Sequence, residues 1–213
     1  MGRAVERLMA GVYAALDRVS GNRDACQPSP ALDEADIRAS LAGDPEAYRR
    51  LVERYQAQVS RIAWRFSRDP RVHEELVHDV FVEAYLGLAG FKGSAPFGYW
   101  LSRIATRVGY HYWKQEARRQ KAEGLTAEEL EQWASSEADP LEAQDAAALV
   151  HKVLGLLPAR DRLVLTLRYL EECDVAETAE RTGWTQTMVK VQTLRARRKL
   201  EKALRHYEKE ASA

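Results

Sequence analysis

The stretch from Leu157 to Leu204 constrains the fold more than any other. Apolar residues recur at helical spacing through Leu163, Leu167 and Leu170, and a short helix is predicted over Val175 to Thr182. Gly183 then stands where that helix must stop, at a position that favours positive φ. Thr185 follows as an N-cap, and a last helix is predicted from Gln186 past Leu200. Two helices joined by a short turn containing Gly form a helix-turn-helix, whose second helix is the one that enters a DNA major groove.

Charge supports the same reading. Gln186 to Arg205 holds seven cations (Lys190, Arg195, Arg197, Arg198, Lys199, Lys202, Arg205) against the single acid Glu201. Cations at that density gain by releasing counterions from phosphates. The alternative is a solvated helix whose Lys and Arg suit the helix dipole. Met188, Val189, Leu194 and Leu200 are expected to face inward. The chain as a whole is neutral, 32 cations against 32 acids, so the segregation of charge carries the information.

The 213 residues are rich in helix formers and lack period-two β-branched runs, which predicts an all-α fold of two helical domains joined by an acidic linker. The expected division is 1–32, 33–121, 122–145 and 146–213. In the first segment Val5, Leu8, Met9, Val12, Leu16 and Val19 share one helical face, suited to packing on the domain or to docking a regulator; residues through Pro30 form a linker. Asp33 to Leu41 is a short helix. Asp44-Pro45 and Asp69-Pro70 each offer an N-cap followed by Pro at the first helical position. Two apolar stripes follow them, Tyr48 to Phe66 and Val72 to Leu88, the second including Tyr85; two such helices joined by a short turn pack antiparallel.

After the loop Phe91 to Pro96, a helix over Phe97 to Lys121 turns Leu101, Ile104, Ala105 and Val108 inward and carries Trp100, Arg103, Arg107, His111 and Lys114 on another side. Rings interleaved with cations either serve the core or let single-stranded bases stack. Ala122 to Asp145 then holds eight acids and no Lys or Arg.

Cys26 and Cys173 lie in different segments and form neither a disulfide framework nor a zinc motif. No window approaches the roughly 18 apolar residues of a membrane span, and the N-terminus lacks a secretory apolar core, so the expected compartment is cytoplasmic with no membrane insertion. His73 and His78 are five residues apart, so their rings point about 140° from a shared face, against a zinc-protease helix. With no phosphate loop, no nucleophile elbow and no ligand cluster, no enzyme, metal or cofactor is expected.

Two regions resemble one family, the bacterial RNA polymerase sigma factors of the extracytoplasmic-function (ECF) type. Asp79 to Arg119 is similar to the family's region 2, introduced by LAGDPEAYRRLVERY from Leu41. The helix-turn-helix resembles region 4, with Val189-Lys190 followed by Arg195-Ala196-Arg197. The resemblance implies a dissociable subunit that brings core RNA polymerase to a promoter and helps to open it. Region 2 would hold the β′ clamp helices through Glu75, Asp79, Val80, Phe81 and Ala84. The minus-ten element would meet Lys92, Gly93 and Ser94, around a flipped base, and Trp100, Arg103, Arg107, His111 and Lys114 along the strand. Region 4 would hold the β flap and read the minus-thirty-five duplex with Gln186, Thr187, Lys190, Gln192, Thr193 and Arg195, with Arg197 and Arg198 on phosphates. Members are commonly held inactive by an anti-sigma protein, which the resemblance adds to the expected partners. Arg107 and His111 stand where many members have Asn and Asp, and CDVAETA replaces the common LSYEEIA, placing Cys173 and Thr178 at usually apolar sites. The competing readings are a dimeric helix-turn-helix regulator with a sensor domain and a helical adaptor that sequesters a transcription protein.

Overall fold

The computed structural model describes residues 30–122, 151 and 153–210, and all regular structure within them is helical. The predicted N-terminal amphipathic helix and the acidic linker lie outside the described residues. The chain divides into two compact units, with the boundary after Trp113. That boundary falls within a continuous helix, short of the expected domain end at 121.

Aspartate caps set where the first helices begin. Helix α1 spans Pro30–Leu41 and α2 spans Pro45–Ala63, where Asp44 accepts the Glu46 N–H at 2.9 Å ahead of Pro45. Helix α3 spans Pro70–Gly87; Asp69 accepts the N–H groups of Arg71 (2.8 Å) and Val72 (3.2 Å). Both caps satisfy donors that have no partner inside the helix, and Pro at the first position gives up a donor that would be orphaned there. A 3₁₀ turn, Leu88–Gly90, leads to the loop before α4, Phe97–Ala122.

Contacts at opposite ends show that α2 and α3 are antiparallel. Tyr48, early in α2, donates its hydroxyl to the Phe81 carbonyl (2.5 Å) late in α3. At the other end Trp64 stacks on His73 with centroids 4.1 Å apart. Between them Leu51, Tyr55, Val59 and Ile62 of α2 and Leu76, Val80 and Ala84 of α3 are buried, as are Leu101, Ile104, Ala105 and Val108 of α4. At Gly109 an added Cβ would lie 2.2 Å from Phe66 Cγ, so α4 comes as close as it does to Phe66 because this residue has no side chain.

Charge holds α1 against α2. Its buried polar side chains Asp33 and Asp36 receive Arg54 Nη1 (2.5 Å) and Nη2 (2.7 Å), Arg50 Nε reaches Asp36 (2.8 Å), and the Tyr55 hydroxyl donates to Asp33 (2.5 Å). Burial by itself would raise the Asp36 pKa, but the hydrogen bonds and positive charges of Arg54 and Arg50 outweigh it and hold this carboxyl below the usual aspartate range.

The second unit contains α5 (Ala159–Leu165), a π turn (Thr166–Leu170), α6 (Val175–Thr182) and α7 (Gln186–Glu210). Its core joins Val153, Leu154, Leu157, Val164, Leu165 and Leu170 to Ala179 of α6 and Val189, Ala196 and Leu200 of α7.

Candidate nucleic-acid and polymerase interfaces

Helix α3 has an inner and an outer apolar row. Val80, Phe81 and Ala84 are buried, so three of the five expected clamp-contacting residues belong to the bundle core; Glu75 and Asp79 are exposed. Val82 (41 % exposed), Tyr85 (55 %) and Leu86 (76 %) form the outer row. Tyr85, expected in the core stripe, instead packs edge-on against Tyr48 with centroids 4.9 Å apart. Counting about 100° per residue from Val80 and Ala84 puts positions 82 and 86 on the far side, a signal present in the sequence. The outer row borders a groove of about 830 Å³ between α2 and α3, lined also by Val52 and Val77. Burial pushes the Tyr48 hydroxyl up to about 12, so it remains the proton donor that pins one end of this groove.

The loop before α4 rests on an aromatic cluster. Phe91 and Phe97 lie 5.1 and 5.5 Å from Trp100, centroid to centroid. Half-buried Trp100 therefore supports the loop, and the rest of its ring stays accessible on the side expected for the strand. Lys92, Gly93 and Ser94 are exposed above it. Arg103, Arg107, His111 and Lys114 are exposed on α4 at three- and four-residue spacing, as one helix face requires. Arg107 is held across to α3: its Nη2 and Nε reach Glu83 Oε2 at 2.5 and 3.2 Å. Of the interleaved rings, Trp113 is buried and donates its indole N–H to the Phe66 carbonyl (2.7 Å), while Tyr99, Tyr110 and Tyr112 are half-buried.

In the second unit the helix-turn-helix is fixed by its caps. Asp174 and Glu177 form a reciprocal capping box at the start of α6. Gly183 ends α6 with φ +73°, and the N–H groups of Gly183 and Trp184 turn back to the Ala179 carbonyl. Thr185 Oγ1 then accepts the Met188 N–H at 3.2 Å, starting α7. Cys173 and Thr178 are both buried; the Thr178 hydroxyl donates to the Asp174 carbonyl (2.6 Å), so its polarity is satisfied within an apolar setting.

Helix α7 exposes Gln186, Thr187, Lys190, Arg195, Arg197 and Arg198. Gln192 and Thr193 leave that outer face, a correction to their expected role as base readers. Gln192 Nε2 donates to Asp161 Oδ1 (2.6 Å), and the Thr193 hydroxyl donates to the Val189 carbonyl (2.8 Å). Asp161 is only 2 % exposed and also accepts Lys199 Nζ at 2.6 Å, so one buried carboxylate on α5 grips α7 at two points two turns apart. Leu194 is 51 % exposed, against the expectation that it faces inward, and Val191 is 43 % exposed. Arg160 lies over the Trp184 ring at 4.9 Å, close to the turn.

Among the described residues no group of three or more His, Cys, Asp or Glu is placed to hold a metal ion. His73 meets Ser60 (3.0 Å), while His78 is exposed beside Asp79. No helix among the described residues is long and apolar enough to cross a membrane.

The two units correspond to two known modules. Residues 51–119 match the model of sigma-70 region 2, and residues 147–200 match that of sigma-70 region 4. Together they span more than half of the chain, in the family's order. The chain belongs to the sigma-70 family. Its relatives place it among ECF-type sigma factors. It is 29 % identical to the RNA polymerase sigma-H factor of Pseudomonas aeruginosa over 187 residues, covering 84 % of this chain and 97 % of that one. It is 27 % identical to the ECF RNA polymerase sigma-E factor of Escherichia coli over 177 residues, covering 79 % and 92 %. Two solved structures share the fold: CnrH in complex with the cytosolic domain of CnrY (TM-score 0.53, 23 % identity, covering 82 % of this chain and 98 % of that one), and the Bartonella quintana sigma factor RpoE with the anti-sigma factor NepR (TM-score 0.50, 18 % identity, 74 % and 96 %). As a sigma factor the chain works with core RNA polymerase and promoter DNA in promoter-specific initiation; its role is regulatory.

Proposed function

We propose that the first unit docks on the β′ clamp of core polymerase through the outer row of α3, Val82, Tyr85 and Leu86, flanked by Glu75 and Asp79. The loop bearing Lys92, Gly93 and Ser94 takes a base flipped from the melted minus-ten element, and Arg103, Arg107, His111 and Lys114 hold the adjoining strand. Helix α7 reads the minus-thirty-five duplex with Gln186, Thr187, Lys190 and Arg195, with Arg197 and Arg198 on phosphates. The expected division into 33–121, 122–145 and 146–213 gives each DNA element its own module.

The exposed apolar row of α3 carries this reading. A duplex-binding regulator has no use for such a row beside a basic helix, whereas a subunit that attaches to a large enzyme needs one. The test is co-elution with core polymerase. Leu86→Glu and Tyr85→Ala are expected to weaken the complex about tenfold or more while leaving duplex binding intact. Unchanged affinity for core enzyme in both variants contradicts the docking assignment.

An anti-sigma protein completes the proposed partner set. CnrH is bound to the cytosolic domain of CnrY and the Bartonella protein to NepR, and a partner that covers α3's outer row would compete directly with polymerase. Addition of such a partner in stoichiometric amount is expected to release core enzyme from the chain.

A further inference from the structure

Helix α7 carries two aliphatic side chains on a face where a core helix has no use for them. Counting about 100° per residue, Val191, Leu194 and Arg198 fall on the side opposite Val189, Ala196 and Leu200, the residues that bind α7 to its unit. Val191 and Leu194 are 43 % and 51 % exposed, with exposed Lys190, Arg195 and Arg198 around them. The polar side chains within the same stretch are engaged elsewhere: Gln192 on Asp161 and Thr193 on the Val189 carbonyl. The middle of the reading face thus offers no amide and no free hydroxyl, only a hydrocarbon pair framed by cations.

We propose that Val191 and Leu194 select thymine in the upstream promoter duplex by packing against its C5-methyl group in the major groove. The inference rests on the reading of α7 as the duplex-binding helix. In that groove thymine alone of the four bases presents a methyl group, and an aliphatic side chain is the group that gains from covering it. The same side chains penalise cytosine and adenine at those positions, because they desolvate the exocyclic amino group without offering it an acceptor. Arg198 supplies affinity through phosphates, and Lys190 and Arg195 on either side suit guanine edges, so recognition of thymine at the centre of the helix falls to the aliphatic pair. The cations around the pair also favour a polyanion over an apolar protein groove as the occupant, since burial against protein would leave those charges without partners.

The test uses the full chain assembled with core polymerase. Duplexes selected by this holoenzyme from a randomised upstream element are resynthesised with deoxyuridine in place of thymidine, one position at a time. Uracil retains O4 and the pairing edge and lacks only the methyl group. One or two positions are expected to lose about fourfold in affinity, the effect of one buried methyl-sized group. Val191→Ala or Leu194→Ala should abolish the loss at its own position, with binding to core enzyme unchanged as the control for folding. Full methyl sensitivity in both variants overturns the proposal, and so does selection of upstream elements without thymine. Lys190→Ala combined with Arg195→Ala separates the two readings. If that pair lowers duplex affinity while uracil replacement has no effect, only the methyl reading fails. If the pair leaves duplex affinity unchanged, the assignment of α7 to duplex DNA fails with it.

Discussion

Cys173 and Gly109 show how single residues are fitted to an apolar interior. Burial drives the Cys173 thiol up to about 11, with the charges around it divided in sign. The nucleophilic thiolate is therefore scarce at neutral pH. In a Cys26→Ser background, a thiol reagent at pH 7.5 is expected to leave the native protein unmodified over the time it fully labels the urea-unfolded chain; rapid native labelling contradicts the burial. At Gly109 a methyl group would collide with the Phe66 ring, which also packs against Trp113 at 4.5 Å between centroids. Gly109→Ala should lower stability by about 1–3 kcal/mol in urea unfolding, as overpacking does, whereas Gly90→Ala, with open space around it, should change it little. Single residues are also where sequence reasoning was least able to decide. Gln192 suits an adenine edge by its chemistry, but its amide is taken by Asp161, 31 residues earlier on another helix, a pairing that leaves no local mark.

At the scale of elements, polar contacts set helix positions that apolar packing leaves loose. The Asp161 carboxylate links α5 to Gln192 and Lys199 of α7, which limits rotation of α7 about its axis. Asp161→Ala leaves the Gln192 amide without its acceptor and should destabilise the second unit by about 1–3 kcal/mol in urea unfolding, with faster amide exchange along α7. Protection equal to that of the parent contradicts the role given to Asp161. Helix α1 depends similarly on Asp36. Because its folded pKa lies below the ordinary value, the stabilisation is complete above the unfolded pKa and disappears as pH falls through the lowered one. A dye on a cysteine introduced at exposed Leu32 should thus report docked α1 at pH 5 and release only below about pH 4, the ordinary aspartate range; release near pH 6 contradicts the assignment. Element boundaries were legible wherever local chemistry fixes them: the Asp44 and Asp69 caps, Gly183 at positive φ, and Thr185 before α7. The π turn at Thr166–Leu170 was not, because it follows from how the segment fits its unit and leaves no local mark.

For the whole molecule, the presence of two helical units was legible from the acidic stretch 122–145, which separates the two paired apolar stripes from the helix-turn-helix. Which face of each helix stays outside was harder to read. Helix α3 has apolar residues on both faces; Val80, Phe81 and Ala84 belong to the packing stripe that periodicity predicts, while the resemblance also implies a polymerase contact for them, and they are buried in the bundle. The proposed division of labour gives the outer row of α3 to the enzyme and the cation-framed face of α7 to the promoter. The central claim is therefore most directly tested by transcription in vitro with purified core polymerase and a promoter library. The account predicts discrete start sites that depend on the added chain and are lost with Leu86→Glu. Core enzyme that co-elutes with no added chain, or a folded chain that yields no defined start at any promoter, contradicts it.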